Sequence, residues 1–246
     1  MKTDRHRHEI EFNRDRWLAK PLLKEVYGDI HRRVAEVCRQ GREPTVEIGS
    51  GIGHIKETIP ECITTDTEVA PGIDQKQNIY KLTFEDASVG NFILIHVLHH
   101  LQYPGTALEE MRRVLVSGGR IVIFEPYISM LGRIVYGPCH HEPIGLHEPI
   151  EWFCADSVSS EEFPYYAAQG NATRIFARTG FESHLENWLI VKKQVIAHFS
   201  HILSGGYGGP CFYPRILWPL MRKLDVFASL FPSLFGTSVL IALEKR

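Results

Sequence analysis

The stretch of the chain with the clearest chemistry is VEIGSGIGHI, residues 46–55. In it an apolar run ends at the acid Glu47 and is followed by Gly49, Gly51 and Gly53. Glycine has no Cβ and tolerates positive φ, so a ligand can lie directly against the backbone of such a turn. The pattern predicts a binding site at the end of a strand, with a carboxylate and exposed main chain as its first contacts.

Two kinds of cofactor-binding fold use a glycine turn like this one, and the spacing separates them. The dinucleotide fingerprint places its third glycine three residues after the second, where this chain has His54. The pattern Glu-x-Gly-x-Gly-x-Gly instead resembles the first motif of the class I S-adenosylmethionine (SAM) methyltransferases, and the chain resembles their type 11 group. A nicotinamide oxidoreductase on a similar sheet is the alternative that His54 disfavours.

The resemblance implies a fold and a cofactor site. The fold is α/β, with a doubly wound, mostly parallel, Rossmann-like sheet of seven strands whose last strand is antiparallel. SAM, or its product S-adenosylhomocysteine, would contact Glu47 and the turn. Asp66, at the end of the run CITTDTE, would hold the ribose hydroxyls. Asn78 would recognise the adenine beside the backbone N–H of Ile79. The cofactor-binding residues that we expect are Glu47, Gly49, Ser50, Gly51, Gly53, Asp66, Asn78, Ile79 and His96.

Two later segments extend the resemblance to roughly residues 30–130. In residues 77–101 Leu82 and Phe84 are in register with the family, and residues 106–126 predict a helix, a Gly118-Gly119 turn and a buried strand. Three residues depart from the family's pattern: Asn78 and Asn91 replace aspartates and Thr83 replaces a proline. These departures leave a second hypothesis open, a catalytically silent SAM-binding protein that serves as a partner or scaffold.

His96 is the candidate catalytic residue. The fourth predicted strand, NFILIH, directs it to the edge where cofactor and acceptor should meet. A neutral imidazole there can contact the cofactor or substrate and can take a proton from a hydroxyl acceptor. Glu125, at the end of the fifth strand, is the next candidate. An ordinary hydrogen-bonded core histidine is the alternative interpretation of His96.

We expect one methyltransferase domain over residues 1–246. Its parts are an N-terminal helical cap (1–40), a cofactor-binding core (41–128) and two acceptor-side insertions (129–179 and 191–235). Strands are predicted near residues 45–49, 61–66, 77–82, 92–97, 120–125, 182–190 and 237–244. Insertions beyond the carboxyl ends of the strands are well placed to select an acceptor. Their apolar and aromatic composition favours a small-molecule, lipid-like or sugar-linked acceptor, methylated at oxygen or carbon.

The second insertion carries an apolar stripe at helical spacing. Its members are Ile216, Leu220, Leu224, Phe227 and Phe231. We expect the stripe to pack in the core or in a lid. The alternatives are an acceptor tunnel and a shallow contact with a membrane surface.

The remaining features predict little further chemistry. The segment CHHEPIGLH contains Cys139, His140, His141, Glu142 and His147, but its spacing is poor for chelation and no metal site is expected. The N-terminal RHRH, residues 5–8, is interpreted as a solvated tail.

Charge and composition narrow the partners and the compartment. The balance of 27 basic and 29 acidic side chains gives no basic footprint for nucleic acid. Five scattered cysteines, a charged N-terminus and the lack of a long apolar run favour a cytoplasmic protein, with contact to a membrane surface left open. The sequence leaves the oligomeric state undetermined.

Overall fold

The computed structural model describes residues 2–155 and 165–246, so part of the first predicted insertion lies outside the described residues. Seven strands form one sheet in the order β3-β2-β1-β4-β5-β7-β6. Strands β1 to β5 run parallel, and β7 runs antiparallel to both β5 and β6. The predicted doubly wound sheet with an antiparallel last strand is confirmed. The strands are β1 (Thr45–Ile48), β2 (Ile63–Asp66), β3 (Gln75–Lys76), β4 (Val89–Ile95), β5 (Leu115–Pro126), β6 (Trp188–Ile196) and β7 (Ser238–Lys245).

Helices pack on both faces of the sheet and also occur within both insertions. The two longest precede the first strand, and short 3₁₀ turns follow β1 (His54–Glu57) and β4 (Leu98–His100). The helices are α1 (Lys2–Ala19), α2 (Pro21–Val37), α3 (Pro104–Val114), α4 (Met130–Val135), α5 (Asn171–Ala177), α6 (Phe199–Ser204), α7 (Trp218–Ala228) and α8 (Pro232–Phe235).

The sheet separates two hydrophobic cores because successive side chains of a strand point to opposite faces. On β4, Phe92 and Leu94 face the core formed with α3 and α5, whereas Ile93 faces the core formed with α2. Apolar residues of α1 and α2, which include Trp17, Leu22, Leu23, Val26 and Tyr27, are buried in this second core. Burial on both faces fixes the strand ends that carry the candidate site residues.

Two strands differ from their predicted positions. The third is only Gln75–Lys76, instead of 77–82, because side chains close a turn immediately after it. Gln77 exchanges hydrogen bonds with the backbone and hydroxyl of Thr83, and the Asn78 side chain accepts the N–H of Tyr80. The sixth strand begins at Trp188, after a 3₁₀ turn at Glu182–Leu185, and extends to Ile196.

The expected packing of the apolar stripe in the second insertion is wrong. Ile216, Leu220 and Phe227 are 84%, 60% and 61% exposed, and Leu224 and Phe231 are also exposed. Helix α7 instead buries a different face, formed by Trp218, Met221, Asp225 and Ala228. The helix was predicted correctly for Leu220, Leu224 and Phe227, whereas Ile216 and Phe231 lie outside α7. Helical spacing alone does not say which face the rest of the protein covers.

Candidate cofactor and acceptor site

The candidate site residues converge where the strand order reverses. Strand β1 lies between β2 and β4, so the crevice beyond their carboxyl ends is the usual ligand position of a wound α/β sheet. The glycine turn follows β1, Asp66 ends β2, and His96 follows β4. The structure therefore brings together residues that are far apart in the sequence.

The glycine turn has the backbone that its sequence predicts. Gly49, Gly51 and Gly53 all have positive φ, of 67°, 58° and 68°. A Cβ on Gly49 would lie 2.8 Å from the Val97 side chain, and one on Gly53 would lie 2.0 Å from the carbonyl oxygen of Gly72. A Cβ on Gly51 would meet nothing within 4 Å. The space left open beside Gly51 is where a ligand can approach the main chain.

Glu47 is a buried carboxylate with an unused oxygen. Its Oε2 has no hydrogen-bond partner, and only 4% of the residue is exposed. Burial raises the pKa of Glu47 to about 8, the nearby Ser50 hydroxyl partly offsets this, and the charge of Asp66 adds to it. An unpartnered buried carboxylate is costly. A bound ammonium group would relieve that cost.

Asp66 is held by several donors. Its Oδ2 accepts the N–H of Gly51 at 2.8 Å, and its Oδ1 accepts the N–H of Thr67 at 2.7 Å and lies 2.7 Å from His6 Nε2. Burial alone would raise the pKa of Asp66, but these hydrogen bonds hold it below its usual value. The expectation of a solvated RHRH tail is wrong for His6, because α1 carries it onto Asp66.

Three further expected cofactor residues are Ser50, Asn78 and Ile79. The Ser50 hydroxyl donates to the Glu47 carbonyl at 3.2 Å and accepts the N–H of Thr65 at 3.1 Å, which ties the turn to β2. Asn78 is half-buried, and its Oδ1 accepts the N–H of Tyr80 at 3.0 Å. Ile79 is buried in the core beside it.

His96 has a strained backbone and an unpartnered nitrogen. Its φ of 57° is in the left-handed region, which is rare for a residue with a side chain. Its Nε2 is buried without a hydrogen-bond partner. Burial, with nearby His201 and His99, keeps the pKa of His96 well below its usual value. The ring is therefore a neutral imidazole with a free lone pair, which is the form that a proton acceptor requires.

Glu125 has a different role from the one that its position suggested. Its Oε1 accepts the N–H groups of Val97 and Leu98, both at 2.6 Å, and its Oε2 lies 2.7 Å from His99 Nδ1. These bonds occupy both oxygens and fix the loop that begins at His96. Glu125 thus positions the loop after β4.

Sequence reasoning missed an aromatic group that packs against the turn. The ring of His54 lies 4.4 Å from Trp17, 4.8 Å from Tyr27 and 6.5 Å from Tyr207, centroid to centroid. These rings come from α1, α2 and the second insertion, so no local pattern links them. They show that both the N-terminal helices and the second insertion contact the turn.

Comparison with known proteins agrees with this geometry. Residues 46–123, about a third of the chain, match a family model described as "Methyltransferase domain". This part of the chain therefore matches a methyltransferase domain. The strand order and the antiparallel β7 agree with that match. No curated protein matches the sequence.

Solved structures resemble this chain in fold over most of its length. The geranyl diphosphate C-methyltransferase of Streptomyces coelicolor A3(2), solved with Mg²⁺, geranyl diphosphate and S-adenosylhomocysteine, is 12% identical with a TM-score of 0.54, over 91% of this chain and 81% of that one. A Thermotoga maritima protein, described as a possible histamine N-methyltransferase, is 15% identical with a TM-score of 0.52, over 99% and 96%.

A third similar structure is the cyclase SpnF, which is 14% identical with a TM-score of 0.52, over 89% of this chain and 81% of that one. Its name describes a cyclase. At such identities the likeness shows the fold alone, so the acceptor must be argued from the site itself.

Proposed function

We propose that this methyltransferase moves the methyl group of SAM to an oxygen or carbon atom of a small-molecule or lipid-like acceptor. The observation that carries the proposal is the unpartnered Oε2 of Glu47, buried beside the open backbone of Gly51. A carboxylate and bare main chain at this point suit the ammonium end of an amino-acid group.

The residues at the carboxyl ends of β1 and β2 and in the turns that follow them, which we call the rim, fit the other parts of SAM. Asp66, at the tip of β2, is placed to accept the ribose hydroxyls once its bond to His6 is exchanged. Asn78 is expected to recognise the adenine amino group, with the N–H of Ile79 beside it. Gly49, Gly51 and Gly53, together with Ser50, hold the turn in the shape that admits the ligand.

The chemistry expected of the protein is limited, because SAM supplies an already activated methyl group. The chain must hold the acceptor in line with that group and exclude water. His96 contributes a neutral imidazole at the carboxyl end of β4, where it can take the proton of a hydroxyl acceptor. We assign that role to His96.

The exposed surface of the second insertion supports a lipid-like acceptor. Helices α7 and α8 and the segment before them expose apolar side chains that include Ile216, Leu220, Val226, Phe227, Leu230 and Phe231, which we call the apolar surface. Contiguous apolar patches on a protein surface mark interaction sites. Arg222 and Lys223 lie beside Val226 at the border of the apolar surface. Arg222 is ion-paired with Asp29, but the Lys223 ammonium suits the headgroups of an anionic membrane. We propose that the apolar surface rests on such a membrane and that the acceptor is taken from it.

Titration with S-adenosylhomocysteine by calorimetry tests the cofactor assignment. Glu47→Ala and Asp66→Ala should each weaken binding about tenfold or more, about 1.4 kcal/mol. Glu61→Ala, an exposed acid between β1 and β2, is the matched control and should bind like the wild type. Unchanged affinity in both site variants would remove the assignment.

Binding without methyl transfer to any acceptor of a broad panel, with a protein partner co-purifying, would favour the silent-scaffold hypothesis.

Co-sedimentation with vesicles tests the membrane contact. The double variant Leu220→Glu/Phe227→Glu should lose binding to vesicles of phosphatidylcholine and phosphatidylglycerol. Val69→Glu, at an exposed apolar position outside the apolar surface, should retain vesicle binding. If ultracentrifugation shows a self-associating protein that the double variant makes monomeric, a second copy covers the apolar surface and the membrane proposal is wrong.

A further inference from the structure

Two segments that are distant in sequence bring two imidazoles against one carboxylate. His99 and His100 lie on the 3₁₀ turn after β4, and Glu142 lies in the loop after α4. The distance from His99 Nε2 to Glu142 Oε2 is 3.7 Å, and that from His100 Nε2 to Glu142 Oε1 is 3.9 Å. Glu142 is only 8% exposed. The three side chains therefore form a largely buried group on the acceptor side of the sheet.

Hydrogen bonds on the far side of each ring fix the orientation of both histidines. His99 Nδ1 lies 2.7 Å from Glu125 Oε2, and His100 Nδ1 lies 3.1 Å from the carbonyl oxygen of Tyr166. Both partners are acceptors, so each Nδ1 carries the hydrogen. In the neutral rings both Nε2 atoms are then lone pairs, and both face the Glu142 carboxylate. Histidine metal ligands in proteins have this arrangement, with the other ring nitrogen bonded to a carboxylate or a carbonyl.

The carboxylate is held in place as well. The Tyr165 hydroxyl donates to Glu142 Oε1, and the Gln169 amide donates to Oε2. These donors leave a further lone pair on each oxygen, and hydrogen-bonded carboxylates are common metal ligands. The carboxylate therefore faces the two imidazoles with its orientation set by other side chains.

Neighbouring histidines are excluded from the ligand set. His140 Nδ1 accepts the N–H of Glu142 at 3.2 Å, so its lone pair is engaged. His141 Nε2 lies 3.9 Å from Glu142 Oε1, but its side chain is 74% exposed and it is not among the donors that all lie within 4.8 Å of one another. The spacing in CHHEPIGLH predicted no metal site, but that prediction considered only residues 139–147. The fold supplies His99 and His100 from elsewhere.

We propose that His99, His100 and Glu142 bind one divalent transition-metal ion, with Zn²⁺ as the representative. Their donor atoms all lie within 4.8 Å of one another, and a tetrahedral ion with bonds of about 2.1 Å needs them about 3.4 Å apart. Two imidazoles and one carboxylate suit Zn²⁺, Mn²⁺ or Fe²⁺, whereas Mg²⁺ prefers oxygen ligands alone. Three protein ligands leave a coordination position open for another ligand.

The open coordination position of the ion would lie near the candidate catalytic histidine. The ring of His99 lies 6.3 Å from that of His96, the candidate proton acceptor. An oxygen of the acceptor bound to the ion would be polarised and held near His96. This role, unlike the binding itself, depends on the proposed function.

Calorimetry on the full-length protein, stripped with a chelator and titrated with ZnCl₂ or MgCl₂, tests the site. We expect one Zn²⁺ per chain and no comparable binding of Mg²⁺. His99→Ala and Glu142→Gln should each weaken Zn²⁺ binding at least tenfold. Glu125→Gln, whose amide oxygen can still accept the N–H groups of Val97 and Leu98 but whose NH₂ group no longer accepts from His99 Nδ1, should weaken Zn²⁺ binding about 10- to 100-fold. His141→Ala is the control and should bind like the wild type.

Two results would overturn the proposal. One is wild-type affinity for Zn²⁺ no higher than that of the double variant His99→Ala/His100→Ala. The other is a loss in His141→Ala equal to that in His99→Ala, which would indicate scattered surface binding. Circular dichroism checks that each variant folds. Titration of each with S-adenosylhomocysteine separates failure of the metal site from failure of the proposed function, because the two ligands use different residues.

Discussion

The rim of the cofactor site and the apolar surface of the second insertion are opposite exceptions to the usual burial of side chains. At the rim, Glu47 and Asp66 are polar groups buried at the tips of strands. On the apolar surface, Leu220 and Phe227 are large side chains left exposed. Polar groups inside and apolar groups outside are the informative exceptions in a folded protein. Substitutions at the rim should therefore change binding and stability strongly, and substitutions on the apolar surface should change stability little.

The largest effect is expected at the backbone of the rim. Gly53→Ala forces a left-handed φ on alanine and drives its Cβ into the Gly72 carbonyl, so we expect a loss of about 3 kcal/mol or more in the free energy of unfolding. Gly51→Ala is the matched control, with a similar φ and open space around its Cβ. Chemical denaturation should show a smaller loss of unfolding free energy for Gly51→Ala than for Gly53→Ala. Calorimetry should show that Gly51→Ala is the variant that binds the cofactor more weakly. Equal unfolding energies would mean that the Gly53–Gly72 approach is not close in solution.

Glu47→Gln tests the charge at the rim. At pH 8 this variant should bind S-adenosylhomocysteine about 10- to 100-fold more weakly than the wild type, because a charge-assisted hydrogen bond becomes a neutral one. Since the pKa of Glu47 is about 8, the wild type must lose a proton to bind an ammonium, and its affinity should fall about tenfold per pH unit below that value. The two proteins should thus converge toward pH 6. A constant ratio across this range would contradict the assignment.

The same variant should be more stable than the wild type in alkaline solution. Between the ordinary pKa of 4.5 and about 8, folded Glu47 keeps a proton that the unfolded chain releases, so the stability of the wild type falls as the pH rises through this window. Glu47→Gln removes that dependence. Thermal unfolding should show a gain on the order of 1–3 kcal/mol at pH 8.5 and little difference near pH 5. A gain of equal size at both pH values would indicate packing and not ionisation.

On the apolar surface, Leu220→Glu and Phe227→Glu should change the free energy of unfolding by no more than about 0.5 kcal/mol. Both side chains are more than half exposed, so little buried area is lost. Met221→Glu, one residue away on the buried face of α7, is the contrasting variant and should unfold the protein far more readily. Large losses in all three would mean that the surface is covered in the folded protein.

The smallest effect is expected at the contact between α1 and the rim. The hydrogen bond to Asp66 raises the pKa of His6, so its stabilising contribution is present below pH 6.5 and is lost as the pH rises through the folded-state pKa. His6 is about a third exposed, so His6→Ala should cost less than about 1 kcal/mol. Since His6 and the ribose share Asp66, the variant should bind S-adenosylhomocysteine two- to threefold more tightly, by about 0.5 kcal/mol, at pH 6. His8→Ala is the control.

The sequence predicted those parts of the molecule that short-range rules determine. Glu47, the glycine turn and Asp66 follow from where apolar runs end, and parallel strands bring their carboxyl ends together. It did not predict that His6 reaches Asp66 or that Glu142 faces His99, because these contacts join segments 60 and 43 residues apart. The apolar stripe shows a different limit: Leu220 and Phe227 have the spacing of a buried face, but spacing does not reveal what lies opposite them.

The close approach of Gly53 and Gly72 limits the amino acids that these two positions can accept. A Cβ on Gly53 would strike the main-chain oxygen of Gly72, and a Cβ on Gly72 would lie 2.7 Å from the main-chain oxygen of Ile52. Each obstacle is an atom that every amino acid possesses, so no exchange at one position makes room for a side chain at the other. The two positions are closed to compensating substitutions, and an engineered library can diversify the surrounding loops freely only if it leaves this pair untouched.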